Sequence, residues 1–177
     1  MPPSGKKVIL VPLTLKHIPK CFEWIHSPQT TKFLQGPFPK TYRGEVAWFR
    51  KMKSQKSELF FAILDKTTLQ YIGNIGIHHI SHEHKKADIG IMIGEKTHLN
   101  RGYGTDAMQT ALKYCFQTLK LNKVSLIVDP RNKRARHCYE NCGFKKVGYL
   151  KDDAIINGKF VDSVMMTVFG EKRIMKG

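Results

Sequence analysis

Between residues 59 and 119 the apolar residues change their spacing once, from every second position to the three-and-four spacing of a helix. That change constrains the fold more than any other feature. Residues 59–64 (LFFAIL), 71–80 (YIGNIGIHHI) and 87–93 (ADIGIMI) read as strands, the last with Ile89, Ile91 and Ile93 on one face. The polar Asp65-Lys66-Thr67-Thr68 joins the first two as an antiparallel hairpin, and a charged turn at 81–86 adds the third by meandering. From Thr105 onward, Ala107, Met108, Ala111, Leu112, Cys115, Phe116 and Leu119 predict a helix with one buried face. Three meandering strands that run into an amphipathic helix require a sheet with that helix packed on it.

The rest of the chain extends this plan. Residues 7–13 (KVILVPL) predict a strand, followed by a helix that Thr14 caps and that presents Leu15, Ile18, Phe22 and Ile25 on one face. Residues 27–42, rich in Pro, Gly and Thr, predict an irregular, lid-like connection before a second helix around Val46, Phe49 and Met52. Residues 123–128 predict a strand and 132–141 a helix that Gly143 ends. Residues 147–156 and 159–169 then form a hairpin about Asn157-Gly158. This order predicts a mixed α/β (α+β) sheet covered by helices, too irregular for a doubly wound nucleotide fold. At 177 residues the chain suits a single domain, 1–177, with loose tails at 1–6 and 170–177.

Gly102-Tyr103-Gly104 lies between the third meandering strand and the strong helix. Glycine there lets backbone approach a ligand. The free N–H groups of the helix's first turn, with the positive end of its dipole, make an anion site suited to a pyrophosphate. An ordinary glycine turn satisfies the same pattern, and the Lys-Ser/Thr ending of a P-loop is absent.

In this setting Leu99-Asn100-Arg101-Gly102-Tyr103-Gly104 and, within VDPRNKRARHCYENCGF, residues Asn132, Ala135, Tyr139 and Gly143-Phe144 resemble the acyl-CoA site of the GNAT superfamily of N-acetyltransferases. The resemblance spans nearly the whole chain. Leu99 departs from the Gln or Arg typical of that turn, with Arg101 placed to compensate. The resemblance implies a single-domain GNAT-like fold: a mostly antiparallel central sheet, a parallel splay between the fourth and fifth strands, and flanking helices. It implies acetyl-CoA as co-substrate, its pyrophosphate held by backbone N–H groups of Leu99, Asn100, Arg101, Gly102, Tyr103, Gly104 and Thr105. The pantetheine then lies against Ile91, Met92 and Ile93 like an added strand, hydrogen-bonded by Asn132. Lys133, Arg134 and Arg136, around Ala135, either pair with the ribose phosphate or form a solvated basic face.

By the same resemblance Tyr139 points its hydroxyl at the thioester sulfur. A phenol of ordinary pKa about 10 can protonate a thiolate of about 8.5; the other role for this residue is a buried tyrosine packed on the glycine turn. Transfer also needs a neutral amine, and an alkylamine of pKa about 10.4 is only about 0.1% neutral at pH 7.4, a cost of about 4 kcal/mol. Asp88 matches an acidic strand position in relatives and is the first candidate for the base, ahead of His79 and His78. It suits an ion pair with Lys85 or Lys86 equally well, and only one of the two histidines can face the cleft.

Within the superfamily the chain looks most like the spermidine and ribosomal-protein N-acetyltransferases, through ISHEHKKADIGIMI, LKLNKVSLIVDPRNKRARHCYENCGF and AIINGKFVDSVMMTVF. This implies direct transfer in a ternary complex to a primary amine: a polyamine such as spermidine first, or else an amino-sugar nucleotide or a protein N-terminal amine. Two features weigh against a polycation. Residues 26–44 contain no Asp or Glu, and 30 Lys and Arg against 14 Asp and Glu give a repelling net charge of +16, with Glu23, Glu45, Asp152 and Asp153 left as substitutes. The same charge attracts nucleic acid as readily as cofactor phosphates, so a non-catalytic coenzyme A-binding or basic RNA-associated module is the alternative. No signal-peptide core and no run of about 18 apolar residues is present, which predicts a soluble cytoplasmic protein without a membrane partner; the resemblance adds a homo-oligomer. Cys21, Cys115, Cys138 and Cys142 fit neither a disulfide scaffold nor a zinc cluster, so reduced thiols and no metal are expected.

Overall fold

In the computed structural model, which describes residues 1–35 and 38–170, the alternating segments become seven strands. These are β1 Val8–Pro12, β2 Leu59–Asp65, β3 Tyr71–Ser81, β4 Lys86–Ile93, β5 Lys123–Val128, β6 Lys145–Ile156 and β7 Lys159–Phe169. They form one sheet in the order β1-β2-β3-β4-β5-β7-β6, antiparallel everywhere except where β4 meets β5. The expected mixed sheet and its parallel junction are both present.

Two layers of helix cover the sheet. On one face lie α4 Tyr103–Lys113, which continues as a π-helical turn over Tyr114–Thr118, and α5 Lys133–Asn141. Ala107, Met108, Ala111 and Cys115 of that run are fully buried against Ile75, Ile77, Ile89 and Val124. Each large side chain so buried contributes about 1.5–3 kcal/mol. The opposite face receives α1 Ile18–Ile25 and α3 Tyr42–Lys53, with Ile18 and Phe49 packed on Ala62. The short α2 Pro28–Thr31 lies between them in sequence, inside the expected irregular connection, of which Gly36 and Pro37 lie outside the described residues.

Two local expectations change. The helix after Thr14 begins as a 3₁₀ turn, Leu15–His17, and α1 starts only at Ile18 with Pro19 in its first turn. The tighter turn rotates the face, so Ile18, Cys21, Trp24 and Ile25 are buried whereas Leu15 is exposed and Phe22 half-buried. Residues 1–6, expected as a loose tail, are tied: Ser4 bridges Ile9, and the Asp106 carboxylate accepts the N–H groups of Lys6, Lys7 and Val8 at 3.0, 2.7 and 3.0 Å. The expected tail beyond Gly170 lies outside the described residues.

Candidate active site

The parallel pairing of β4 with β5 covers only Lys86, Ala87 and Asp88 against Lys123, Val124 and Ser125. Beyond Asp88 the strands part. Ile91, Met92 and Ile93 keep their ladder to Ile75, Asn74 and Gly73 of β3, so their other backbone edge faces the gap. A cavity of about 1040 Å³ opens there, lined by Gly90 to Ile93 on one side and by Ile127, Val128 and α5 on the other. It is large enough for a cofactor-sized ligand.

The N-terminus of α4 closes one end. Gly102 is its N-cap residue, in the left-handed conformation (φ +82°) that glycine adopts without strain, and no side chain caps the helix. The first intrahelical bond is donated by Asp106, so the N–H groups ahead of it have no helical partner and form an anion site with the helix dipole. Leu99, Asn100, Gly102, Gly104 and Thr105 line the cavity, as expected of the turn. Arg101 and Tyr103 do not line it. Arg101 Nη1 donates to the Thr97 carbonyl at 3.2 Å, and the Tyr103 hydroxyl donates to Asp65 Oδ2 at 2.7 Å. Tyr103 is therefore available to a ligand only through its backbone.

Asp65 organises this end. Besides Tyr103 it bonds His98 Nε2 at 3.1 Å and accepts the Thr67 and Thr68 N–H groups at 2.7 and 3.2 Å. The Tyr103 hydroxyl, with those two amides and His98, draws its carboxyl down to about 2 against the penalty of burial. Lys7 Nζ adds a bond to the Arg101 carbonyl at 2.7 Å. The sequence reading missed Asp65 and His98, and a single acid at a hairpin turn carries no signal of this long-range role.

Helix α5 supplies the other wall. Asn132 caps it, accepting the Ala135 N–H at 3.1 Å through Oδ1, which leaves its amide nitrogen to offer the cavity. Lys133, Arg134 and Ala135 line the cavity, whereas Arg136 turns away to the Pro130 carbonyl (3.4 Å) and Glu140 (3.9 Å), its Nε buried without a partner. Tyr139, one turn after Ala135, is buried, lines the cavity and packs edge-on against Phe144 at 5.9 Å between centroids. Burial, with Cys138 and Cys142 beside it, pushes its phenol above the ordinary range, so it stays protonated at neutral pH.

Residues outside the expected set complete the cavity. Gln35 Nε2 donates to Ser163 Oγ of β7 at 2.7 Å, and with Phe33 and Leu34 it brings the expected lid segment over the gap. Asp129, the one carboxylate lining the cavity among the described residues, is held by Arg131 through Nε (2.9 Å) and Nη2 (2.6 Å), which keeps its carboxyl below the usual range. Lys32, Lys133 and Arg134 leave the lining net positive, as a polyphosphate ligand requires. Asp88 lies outside it, more than half exposed, with Oδ2 bonded to His79 Nδ1 at 2.9 Å rather than to Lys85 or Lys86.

A family model described as an acetyltransferase (GNAT) domain matches residues 7–145. An uncharacterized N-acetyltransferase p20 of Bacillus licheniformis is 27% identical over 151 residues, 84% of each protein. The spermidine N(1)-acetyltransferase of Escherichia coli (strain K12) is 34% identical over 97 residues, 55% of this chain and 52% of that protein, so the match spans about half that relative's length. The crystal structure of spermidine N-acetyltransferase from Vibrio cholerae in complex with CoA and spermine matches with a TM-score of 0.85 at 24% identity, over 93% of this chain and 96% of that one. That likeness is one of fold.

Proposed function

We propose, from the premise that the chain belongs to the acetyltransferase (GNAT) family and is an acyl-CoA-dependent N-acetyltransferase, that its cavity binds acetyl-CoA and transfers the acetyl group directly to a primary amine. The observation that carries this is the convergence of three features on one cavity: the uncapped N-terminus of α4, the open backbone edge of β4 and the Tyr139 side chain.

The uncapped N–H groups from Gly102 to Thr105 receive the pyrophosphate, and Ile91, Met92 and Ile93 pair with the pantetheine as a strand would. Asn132 offers its amide nitrogen to the same arm. Lys133 and Arg134 are placed for the ribose phosphate, which Arg101 and Arg136 reach only by leaving their carbonyl partners. Tyr139 gives its proton to the sulfur as the C–S bond breaks.

The acceptor proposed first is a polyamine such as spermidine, supported by the activity named for the Escherichia coli relative. A second acceptor class, an amino-sugar nucleotide or a protein N-terminal amine, is favoured by one observation: the only carboxylate of the cavity lining among the described residues, Asp129, is already neutralised by Arg131. A cytoplasmic homo-oligomer completes the proposal. No described helix is long and apolar enough to cross a membrane, and the closing hairpin leaves Val147, Tyr149, Ile155 and Phe160 exposed. The test is CoA release from acetyl-CoA across spermidine, spermine, an amino-sugar nucleotide and peptides with free N-termini. Release with one acceptor names the class. A melting-temperature rise with acetyl-CoA but no release retains the cofactor site alone, and absence of both leaves the basic RNA-associated module.

A further inference from the structure

Glu58, one residue before β2, is buried and directs both carboxylate oxygens at β3. Oε2 bonds His78 Nδ1 at 2.6 Å and Oε1 accepts the His79 backbone N–H at 3.1 Å. A carboxylate only accepts, so the His78 proton sits on Nδ1 and Nε2 presents its lone pair. The edge of Phe60, 5.2 Å between centroids, holds the ring from the side.

What lies beneath Nε2 connects this dyad to the cavity. Gly76 of β3 and Gly90 of β4 are cross-strand partners. A Cβ on Gly76 would collide with the imidazole, and one on Gly90 would stand 3.9 Å from Nε2. The two glycines are a floor that leaves room for the ring. Gly90 also lines the cavity, two residues past Asp88, where the last parallel pair ends and the splay opens. His78 itself does not line the cavity; Nε2 lies beside Gly90, which borders the start of the gap in which the thioester would lie.

We infer that His78, oriented by Glu58, is the base that takes the proton from the acceptor amine. This rests on the transferase function proposed above. The ammonium gives one proton to Nε2, which passes it to water through the exposed third of the imidazole side chain. The freed lone pair attacks the thioester carbonyl carbon, the C–N bond forms, and the C–S pair leaves on sulfur, which takes the Tyr139 proton. The second proton lost from nitrogen restores the phenol, so one proton is released per turnover. The charged and titratable groups around His78 are Glu58 from the segment before β2, His79 beside it and Asp88 across the strand pair. Neither Asp88 nor His78 lines the cavity, but Asp88 is committed to His79, whereas Nε2 of His78 is free of a bonding partner among the described residues and lies beside Gly90 of the lining.

The test uses the full chain with the panel amine that wild type acetylates fastest. Melting temperature and its rise with acetyl-CoA verify folding and cofactor binding for each variant. His78→Gln should keep that rise, lower kcat about 100-fold or more, and lose the acidic limb of the kcat pH profile that wild type shows. Glu58→Gln, which keeps an acceptor for Nδ1, should move that limb to lower pH, because the imidazolium loses its neighbouring carboxylate. The amine's own ionisation is common to all variants, so only the differences between them count. If H78Q keeps wild-type kcat and limb, or if Asp88→Asn rather than H78Q removes the limb, His78 is not the base and the transferase function stands. If H78Q fails to fold, the E58Q limb decides, and an unmoved limb overturns the inference. No turnover by wild type with any amine removes both.

Discussion

Tyr139 and Asp65 show what one side chain does when folding puts it in a dry place. Tyr139→Phe removes only a hydroxyl from a cavity wall, so the acetyl-CoA-induced melting shift should stay while kcat falls about 100-fold or more in the CoA-release assay. Asp65 acts through acidity. Its folded pKa of about 2 lies below the usual 3.8, held there first by the Tyr103 hydroxyl. A depressed acid pKa stabilises the folded state fully above the unfolded value, and that stability is lost as pH falls through the folded value. Melting temperature should therefore drop between about pH 4 and 2, and Asp65→Asn should flatten that slope while lowering stability at pH 7. Tyr139 and Asn132, which both line the cavity, were legible in the sequence through the resemblance of their motif to the acetyltransferase site. The outward turn of Arg101 and Tyr103 was not, since their partners Thr97 and Asp65 are brought to them by loop and sheet.

At the scale of elements, two glycines carry the predictions. Gly102→Ala places a Cβ at φ +82° and should cost about 1–2 kcal/mol in chemical denaturation, with weaker acetyl-CoA binding because the N–H groups of the turn lose their aim. Gly94, just past β4, is overlaid by the Trp24 ring, and a Cβ would collide with it. Gly94→Ala should cost about 1–3 kcal/mol by overpacking and pry α1 from the sheet. The sequence placed the strands and helices because each keeps its own period. It misplaced the buried face of α1, where a 3₁₀ turn and Pro19 shift the phase by part of a turn that no hydrophobic count records. The hairpin of β6 and β7 was readable from Asn157-Gly158, both in the left-handed conformation (φ 51° and 74°) that a tight turn demands.

Across the whole molecule, a net charge of +16 acts at a distance and is screened by salt. The Michaelis constant for acetyl-CoA should rise about several-fold between 20 and 300 mM NaCl, with kcat little changed, because attraction of the anion weakens while the reacting groups do not. By itself the sequence determined which segments are strands and helices and the glycine turn ahead of α4, since these follow from local spacing, while the α5 site residues were expected from the family resemblance. Tertiary structure decided the rest. The splay exists because β4 and β5 pair over only three residues, and that is a property of how two strands far apart in the chain pack under α4. The same holds for the candidate base: a register shift after His78, with His79 at φ +50°, directs neighbouring histidines to different partners, Glu58 and Asp88. Period-two alternation separates the two histidines, and only the long-range pairing of β2, β3 and β4 decides which partner each takes.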